Sequence, residues 1–196
     1  YARTGTKIGG ITIPMGAAFA AYSASNAQTV WNFAETDKQK IGSAAFLREE
    51  DPNDKTVDFM LDINKGTDFL DELTVAFDNT ASSMNDFKND APKIENPGVD
   101  FYTKSSDNIQ LAFDTRQYAE GTIIPVGIKK ATAGDYSISV AEWSNMPTGY
   151  TATLVDNYKN VSTPLNSTAT YNFSIDSKPE SQGEKRFYIL LGKLST

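Results

Sequence analysis

Carboxylates are the most numerous side chains in this chain that could do chemistry. Of its 196 residues, 25 are Asp or Glu and 18 are Lys or Arg. Two stretches concentrate the oxygen donors that Ca²⁺ takes from proteins. The first comprises Asp62, Asn64, Asp68, Asp71 and Glu72, and the second comprises Asp78, Asn79, Asp86, Asn89 and Asp90. Neither is assigned as a metal site. The first lacks EF-hand spacing and favours a solvated hairpin tip, and the second favours turn and helix-capping chemistry, with calcium as the alternative at both.

Aromatic side chains provide a second kind of candidate site, because they can stack on sugar rings. Four are considered: Trp31, Trp143, Tyr150 and Tyr158. Trp143 ends a predicted strand and enters the loop 144–149, and Tyr150 follows that loop. We therefore take Trp143 and Tyr150 as candidate carbohydrate-binding residues. The competing interpretation is that these rings pack over the edge of the core.

An acid pair for glycoside hydrolysis is a further idea, since Glu142 stands beside Trp143. No spacing selects a second carboxylate as its partner, so no catalytic residue is assigned and the chain is predicted not to be an enzyme. An acid-pair glycoside hydrolase is kept as the third alternative.

Composition excludes several function classes. The sequence contains no Cys and no His, which rules out thiol nucleophiles, disulfides, imidazole metal ligands and Ser-His-Asp triads. A net charge of -7 with scattered basic residues argues against binding nucleic acid. No apolar run approaches the length of a membrane-spanning segment, so membrane insertion is not expected.

The residues that carry these side chains follow a strand pattern. Between residues 121 and 191, five apolar sets alternate with polar residues at a period of two, which predicts five antiparallel strands. The sets are Ile124, Val126, Ile128; Tyr136, Ile138, Val140; Tyr150, Ala152, Leu154; Tyr171, Phe173, Ile175; and Phe187, Ile189, Leu191.

The upstream part is also predicted to be β. Strands are expected within 8–22, 29–33 and 45–48, then at 56–62 and 70–77 across a hairpin loop, and at 99–104 and 109–113. Residues 78–97 are expected to form a long surface loop. The segment 114–121 is the weakest point of the pattern. We therefore expect two tandem antiparallel β-sandwich units of jelly-roll or Ig-like type, 1–118 and 119–196.

The order of short motifs resembles a known family. The chain is similar to a β-sandwich module that precedes the C-terminal sorting signal in Bacteroidetes proteins exported by the type IX secretion system. The motifs are Ile13–Phe19 and Phe46–Arg48; Val75–Phe77, Thr80–Ala81, Asp86 and Asp90–Lys93; and Gly134–Ile138, Leu154–Asp156, Tyr171–Phe173 and Arg186–Phe187. Ala18 departs from the family, where an aromatic is usual.

The resemblance implies a non-catalytic structural or adhesin-type module on the outer surface of a bacterial cell or in the medium. It implies that upstream domains carry the activity, and that a sorting domain following Thr196 engages the type IX machinery. Surface polysaccharide or other surface proteins are the further partners expected. It also implies that the Asp90–Lys93 segment is a structured connection held by its charges. A carbohydrate- or surface-binding module is the alternative function.

Overall fold

The computed structural model describes residues 58–144, 146 and 148–193. Within these residues the protein is all β, as predicted, with a single 3-10 turn at Pro179–Ser181 and no α-helix. The strands are β1 (Phe59–Lys65), β2 (Asp68–Phe77), β3 (Ala91–Pro92), β4 (Asp100–Lys104), β5 (Gln110–Arg116), β6 (Ile123–Lys129), β7 (Gly134–Trp143), β8 (Tyr150–Asp156), β9 (Val161–Pro164), β10 (Thr170–Ile175) and β11 (Gly183–Lys193). The strands expected within 8–22, 29–33 and 45–48, and Trp31, lie outside the described residues.

All of the described strands belong to one sheet. Their order is β10-β7-β1-β2-β5-β4-β6-β11-β8-β9, with β3 added beside β5. The pairs are antiparallel except β2 with β5, which run parallel. The link in the middle is short, because β4 and β5 pair through only Thr103 with Leu111 and Lys104 with Gln110. The sheet can therefore bend at this point.

The sheet curves until its distant strands face each other. β10 and β11 are far apart in the strand order, yet the rings of Phe173 and Phe187 lie 5.0 Å apart and almost perpendicular. Inward residues of both halves form one hydrophobic cluster, which includes Leu61 and Val75 from one half and Val126 and Ile189 from the other. The result is a nearly closed, barrel-like arrangement around a single core.

The alternating pattern between residues 121 and 191 is confirmed as strands β6, β7, β8, β10 and β11. Its inward sets are buried, except that Val140, Tyr150 and Tyr171 are only partly covered. The pattern missed β9, whose four residues are largely exposed. Short edge strands of this kind carry no apolar alternation that could reveal them.

The predicted hairpin loop at residues 63–69 is wrong in extent. β1 runs to Lys65 and β2 begins at Asp68, so only Gly66 and Thr67 form the turn. Gly66 adopts a φ of 62°, a left-handed conformation that a tight hairpin turn requires. The prediction assigned the polar residues Asn64, Lys65 and Asp68 to the loop, although the two strands continue through them.

The division into two tandem sandwiches is not confirmed. β1, which precedes the proposed boundary at residues 118 and 119, pairs with β7, which follows it, and β4 pairs with β6 in the same way. Tyr118 packs against the common core. In the described residues no helix is long and apolar enough to cross a bilayer.

Candidate functional site

A buried ion pair between β8 and β11 is the most elaborate polar feature of the described structure. The side chains of Arg186 and Asp156 are 0% and 1% exposed, and Nη2 lies 2.8 Å from Oδ2. The arginine Nε donates to both carboxylate oxygens, at 3.2 Å and 3.1 Å. A planar guanidinium can bind a carboxylate through parallel hydrogen bonds in this way, and the bonds fix the orientation of both side chains.

The remaining guanidinium donors are also used. Nη1 of Arg186 donates to the carbonyl of Ser174 at 2.9 Å and to the carbonyl of Ser181. The rings of Phe173 and Phe187 each lie 4.7 Å from its central carbon. Cation–π contacts of this kind partly compensate for the water that a buried guanidinium loses.

Tyr171 completes the arrangement from β10. Its hydroxyl donates to Asp156 Oδ2 at 2.9 Å. Burial, together with this bond to a carboxylate, raises the pKa of Tyr171 to about 12. Asp156 Oδ1 also accepts the backbone N–H groups of Tyr158 and Lys159, at 2.9 Å and 3.1 Å. We call Asp156, Tyr171, Ser174, Ser181 and Arg186 the seam network, since it joins β8, β10 and β11 where no backbone ladder links β10 to the other two in the described sheet.

An open cleft of about 650 Å³ lies over the seam network. It is lined by Asn157, Tyr158, Pro179, Glu180, Gln182, Glu184, Lys185 and Arg186. Tyr158 is fixed in place: its hydroxyl donates to Asp176 at 2.7 Å, and its ring lies 5.2 Å from the Arg186 guanidinium carbon. The hydrogen bond to Asp176 raises the pKa of Tyr158.

Trp143 and Tyr150, the two predicted carbohydrate-binding residues, are not in this cleft. Trp143 stacks on Phe59 at 5.8 Å, and Tyr150 packs on Tyr118 at 3.9 Å between ring centroids. Phe77 joins the two pairs, with Phe59 at 6.1 Å and Tyr118 at 5.0 Å. The structure therefore places them at opposite ends of a continuous row of five rings, in which Phe59 belongs to the core and Phe77, Tyr118 and Trp143 pack against it. The competing interpretation, edge packing, describes their contacts.

The first acid-rich stretch lies in paired strands and not at a solvated hairpin tip. Asp62 and Glu72 are direct neighbours on β1 and β2. Burial raises the pKa of both carboxyls, and the charge of Asp62 raises that of Glu72 further. Asp71 is buried, and its Oδ2 accepts the backbone N–H of Phe101 at 2.6 Å.

The side chains of the second stretch accept hydrogen bonds that close turns. The turn part of the favoured interpretation is therefore confirmed, and the helix-capping part is wrong. Asp78 Oδ1 accepts both the N–H and the hydroxyl of Thr80, at 2.7 Å and 2.6 Å. Asp86 Oδ1 accepts the N–H of Lys88 at 3.0 Å. No helix follows these residues, so the bonds close turns and do not cap a helix. Within the described part of the chain, no group of three or more acidic side chains is arranged to hold a metal ion.

The segment Asp90–Lys93 is held at both ends by its charged side chains. Asp90 accepts the backbone N–H of Thr115 at 2.7 Å and that of Asp86 at 2.6 Å. Lys93 Nζ reaches Asp71 at 2.5 Å, with both side chains almost completely covered. Burial raises the pKa of Asp90 to about 6 in spite of its two backbone bonds. The expectation of a structured connection held by charges is met by these contacts.

Two carboxylates near aromatic rings lie in different surroundings, Glu142 on β7 and Glu184 on β11. Glu142 accepts a hydrogen bond from Ser144 at 2.7 Å, and it does not line the cleft over the seam network. In the cleft over the seam network, Glu184 is bound by Lys104 at 2.6 Å, which lowers its pKa. A general acid requires the opposite shift.

Sequence reasoning named Asp156, Tyr171 and Arg186 as landmarks but gave them no role. Their meeting depends on the register of β8, β10 and β11, which short motifs do not reveal. The one available signal was the combination of an arginine and an aspartate inside otherwise apolar strands. A charge at such a position is almost always paired.

A protein-family model described as a domain of unknown function, DUF8693, matches residues 2–190. This match spans nearly the whole chain, which therefore belongs to the DUF8693 family. No curated protein and no solved structure matches the chain significantly.

Proposed function

We propose that this member of the DUF8693 family is a non-catalytic structural or adhesin-type module of a bacterial cell-surface or secreted protein. In this proposal the parent protein is exported by the type IX secretion system through an adjoining sorting domain. The module presents the upstream domains that carry the activity. Its location is the outer surface of the cell or the surrounding medium.

The observation that carries the proposal is the convergence of separate motifs on the seam network. Asp156, Tyr171 and Arg186 each belong to a different motif of the resemblance, and Asp156 accepts hydrogen bonds from the other two side chains at 3.2 Å or less. Their polar atoms bind each other and the backbone, which leaves them no free group for turnover. Charged residues used in this way favour a module in which these side chains hold the fold together.

Two further features support a role in presenting the upstream domains. The row of five rings that contains Trp143 and Tyr150 is engaged in packing. The long segment 78–97 is held to the sheet by Asp90 and Lys93. Both features favour a rigid domain in which these acidic and aromatic side chains stabilise the fold.

The two-unit, jelly-roll or Ig-like subdivision stays a prediction. The pairing of described strands across residues 118 and 119 favours one sandwich shared by both sides. A presenting module works in either arrangement, so the function does not depend on this point.

The proposal is tested in cells of the source organism with the parent protein and a strain that lacks type IX secretion. We expect the parent protein at the surface or in the medium of the parental strain, and retained in the periplasm of the secretion-deficient strain. Equal distribution in both strains would overturn the export route. A companion variant in which a flexible linker replaces residues 58–193 should keep the upstream activity, because the module has no catalytic part in it.

A further inference from the structure

We infer that the cleft over the seam network is a saccharide-binding subsite for neutral or N-acetylated sugars, with Tyr158 as its stacking platform. The inference goes beyond the presenting function and does not depend on the export route. Of the aromatic residues considered from the sequence, Tyr158 lines this cleft, whereas Trp143 and Tyr150 do not.

The platform is rigid before any ligand arrives. The Tyr158 hydroxyl is anchored on Asp176, and the ring rests near the guanidinium of Arg186. Arg186 is itself immobilised by Asp156 and by two backbone carbonyls. An aromatic ring held in this way offers a flat surface with little loss of conformational entropy on binding, once the flexible Lys159 side chain, whose ammonium lies 5.3 Å from the ring centroid, moves aside. The C–H face of a pyranose ring is the natural partner of such a surface.

Polar groups at the rim of the cleft are unengaged. Among the described residues, no side-chain hydrogen bond or ion pair holds Glu180, Gln182 or Lys185. Together they offer carboxylate and amide acceptors and amide and ammonium donors. Pro179 adds a second apolar wall. A mostly apolar cleft with a few unengaged polar groups, in the size range of small-molecule sites, suits the alternating C–H and O–H surface of a sugar.

Charge selects the kind of sugar. Glu180 lines the cleft without an ion-pair partner among the described residues and Asp176 lies at its side, while Glu184 is paired with Lys104 and Arg186 with Asp156. Lys185 is the one lining ammonium. The carboxylates repel uronic acids and phosphates, and the chain as a whole is acidic. Neutral and N-acetylated oligosaccharides are therefore the expected ligands.

The test is a titration of the purified chain, observed by two-dimensional amide NMR. The probes are a panel of neutral oligosaccharides (glucan, xylan, mannan and galactan trisaccharides) and triacetylchitotriose, with trigalacturonic acid as the anionic comparison. We expect at least one neutral or N-acetylated probe to shift amide signals of residues 157–159 and 179–186. Trigalacturonic acid should bind at least tenfold more weakly.

Variants separate the site from general effects. Tyr158→Ala should weaken binding at least tenfold, and Gln182→Ala should weaken it about threefold to tenfold, the range of one lost hydrogen bond. Gln117→Ala, an exposed glutamine outside the cleft, is the matched control and should bind like the parent chain. If Tyr158→Ala unfolds, Gln182→Ala carries the test alone. Absence of shifts with every neutral probe, or shifts that map elsewhere, would overturn the inference.

Discussion

Arg186 illustrates how single residues determine the stability of this fold. It is among the largest fully buried side chains, and it binds Asp156 and the backbone of two other segments. A buried ion pair need not stabilise more than apolar residues of equal volume would. Removing only one partner, however, leaves the other charge buried without compensation.

We predict that Asp156→Asn lowers the free energy of unfolding by about 3–5 kcal/mol, because the guanidinium then loses its charged partner inside the protein. Arg186→Lys should cost a similar amount, since an ammonium cannot reproduce the parallel bonds to Asp156 and the two carbonyl contacts. Chemical denaturation measures both. Lys88→Ala, at an exposed position, is the control and should change stability by less than about 0.5 kcal/mol. Losses below about 1 kcal/mol in the two buried variants would contradict a central role for the pair.

Asp90 gives a prediction about pH. Its pKa of about 6 in the folded protein lies above the value of about 3.9 for an aspartate in an unfolded chain. The folded state therefore holds the proton more tightly. Protonated Asp90 therefore stabilises the folded state. This contribution is fully present below pH 3.9, the approximate pKa in the unfolded chain, and it is lost as the pH rises through about 6.

We expect the wild-type protein to lose stability relative to Asp90→Asn as the pH is raised from about 4 to about 7, by roughly 1 kcal/mol after allowance for partial solvent exposure. Urea denaturation at a series of pH values measures the difference between the two proteins. Since other carboxyls titrate equally in both, only the difference reports on Asp90. Parallel pH profiles would show that its charge is not penalised by burial.

At the scale of single elements, β6 depends on a glycine. A Cβ built at Gly127 would lie 2.4–2.6 Å from the ring and hydroxyl of Tyr102, which is fully buried. The Tyr102 hydroxyl donates to Glu184 at 3.2 Å, and burial raises its pKa. The tyrosine of β4 thus lies directly over its partner glycine on β6.

We predict that Gly127→Ala lowers the free energy of unfolding by about 1–3 kcal/mol, since the tyrosine ring must shift within packed surroundings. Gly98→Ala is the matched control, because a Cβ there meets no heavy atom within 4 Å. Its stability should stay within about 0.5 kcal/mol of the parent chain. Equal thermal unfolding of the two variants would contradict the close contact between Gly127 and Tyr102.

Elements differed in how well the sequence predicted them, for physical reasons. Strands β6, β8 and β11 have one buried face, so their side chains alternate and reveal them. β9 is exposed on nearly every residue and has no such signal. The acid-rich stretch in β1 and β2 suggested a loop, although its carboxylates stand on strands. Tyr158 was recognised as an aromatic candidate, but its partners, Asp176 after β10 and Arg186 on β11, are brought to it only by the folded sheet.

For the whole molecule, the main question is whether residues 119–196 form an independent unit. In the described structure β7 lies between β1 and β10, and β6 lies between β4 and β11. A fragment of residues 119–196 would therefore expose one edge of each of these strands. It would also lose core residues such as Phe59, Leu73 and Phe101.

We predict that this fragment does not unfold cooperatively, in contrast to the full chain, because it cannot assemble the common core. Thermal unfolding followed by near-ultraviolet circular dichroism measures this directly. A cooperative transition in the fragment would support the two tandem units expected from the sequence.

The central claim concerns where the protein works, and labelling of intact cells tests it most directly. Lys178 and Lys185 are exposed on the folded domain. In cells of the source organism, a membrane-impermeant amine reagent should modify both lysines before lysis, as measured by mass spectrometry, and to much the same extent as after lysis. Modification only after lysis, alongside normal labelling of a known surface protein, would contradict the account of this chain as a surface module.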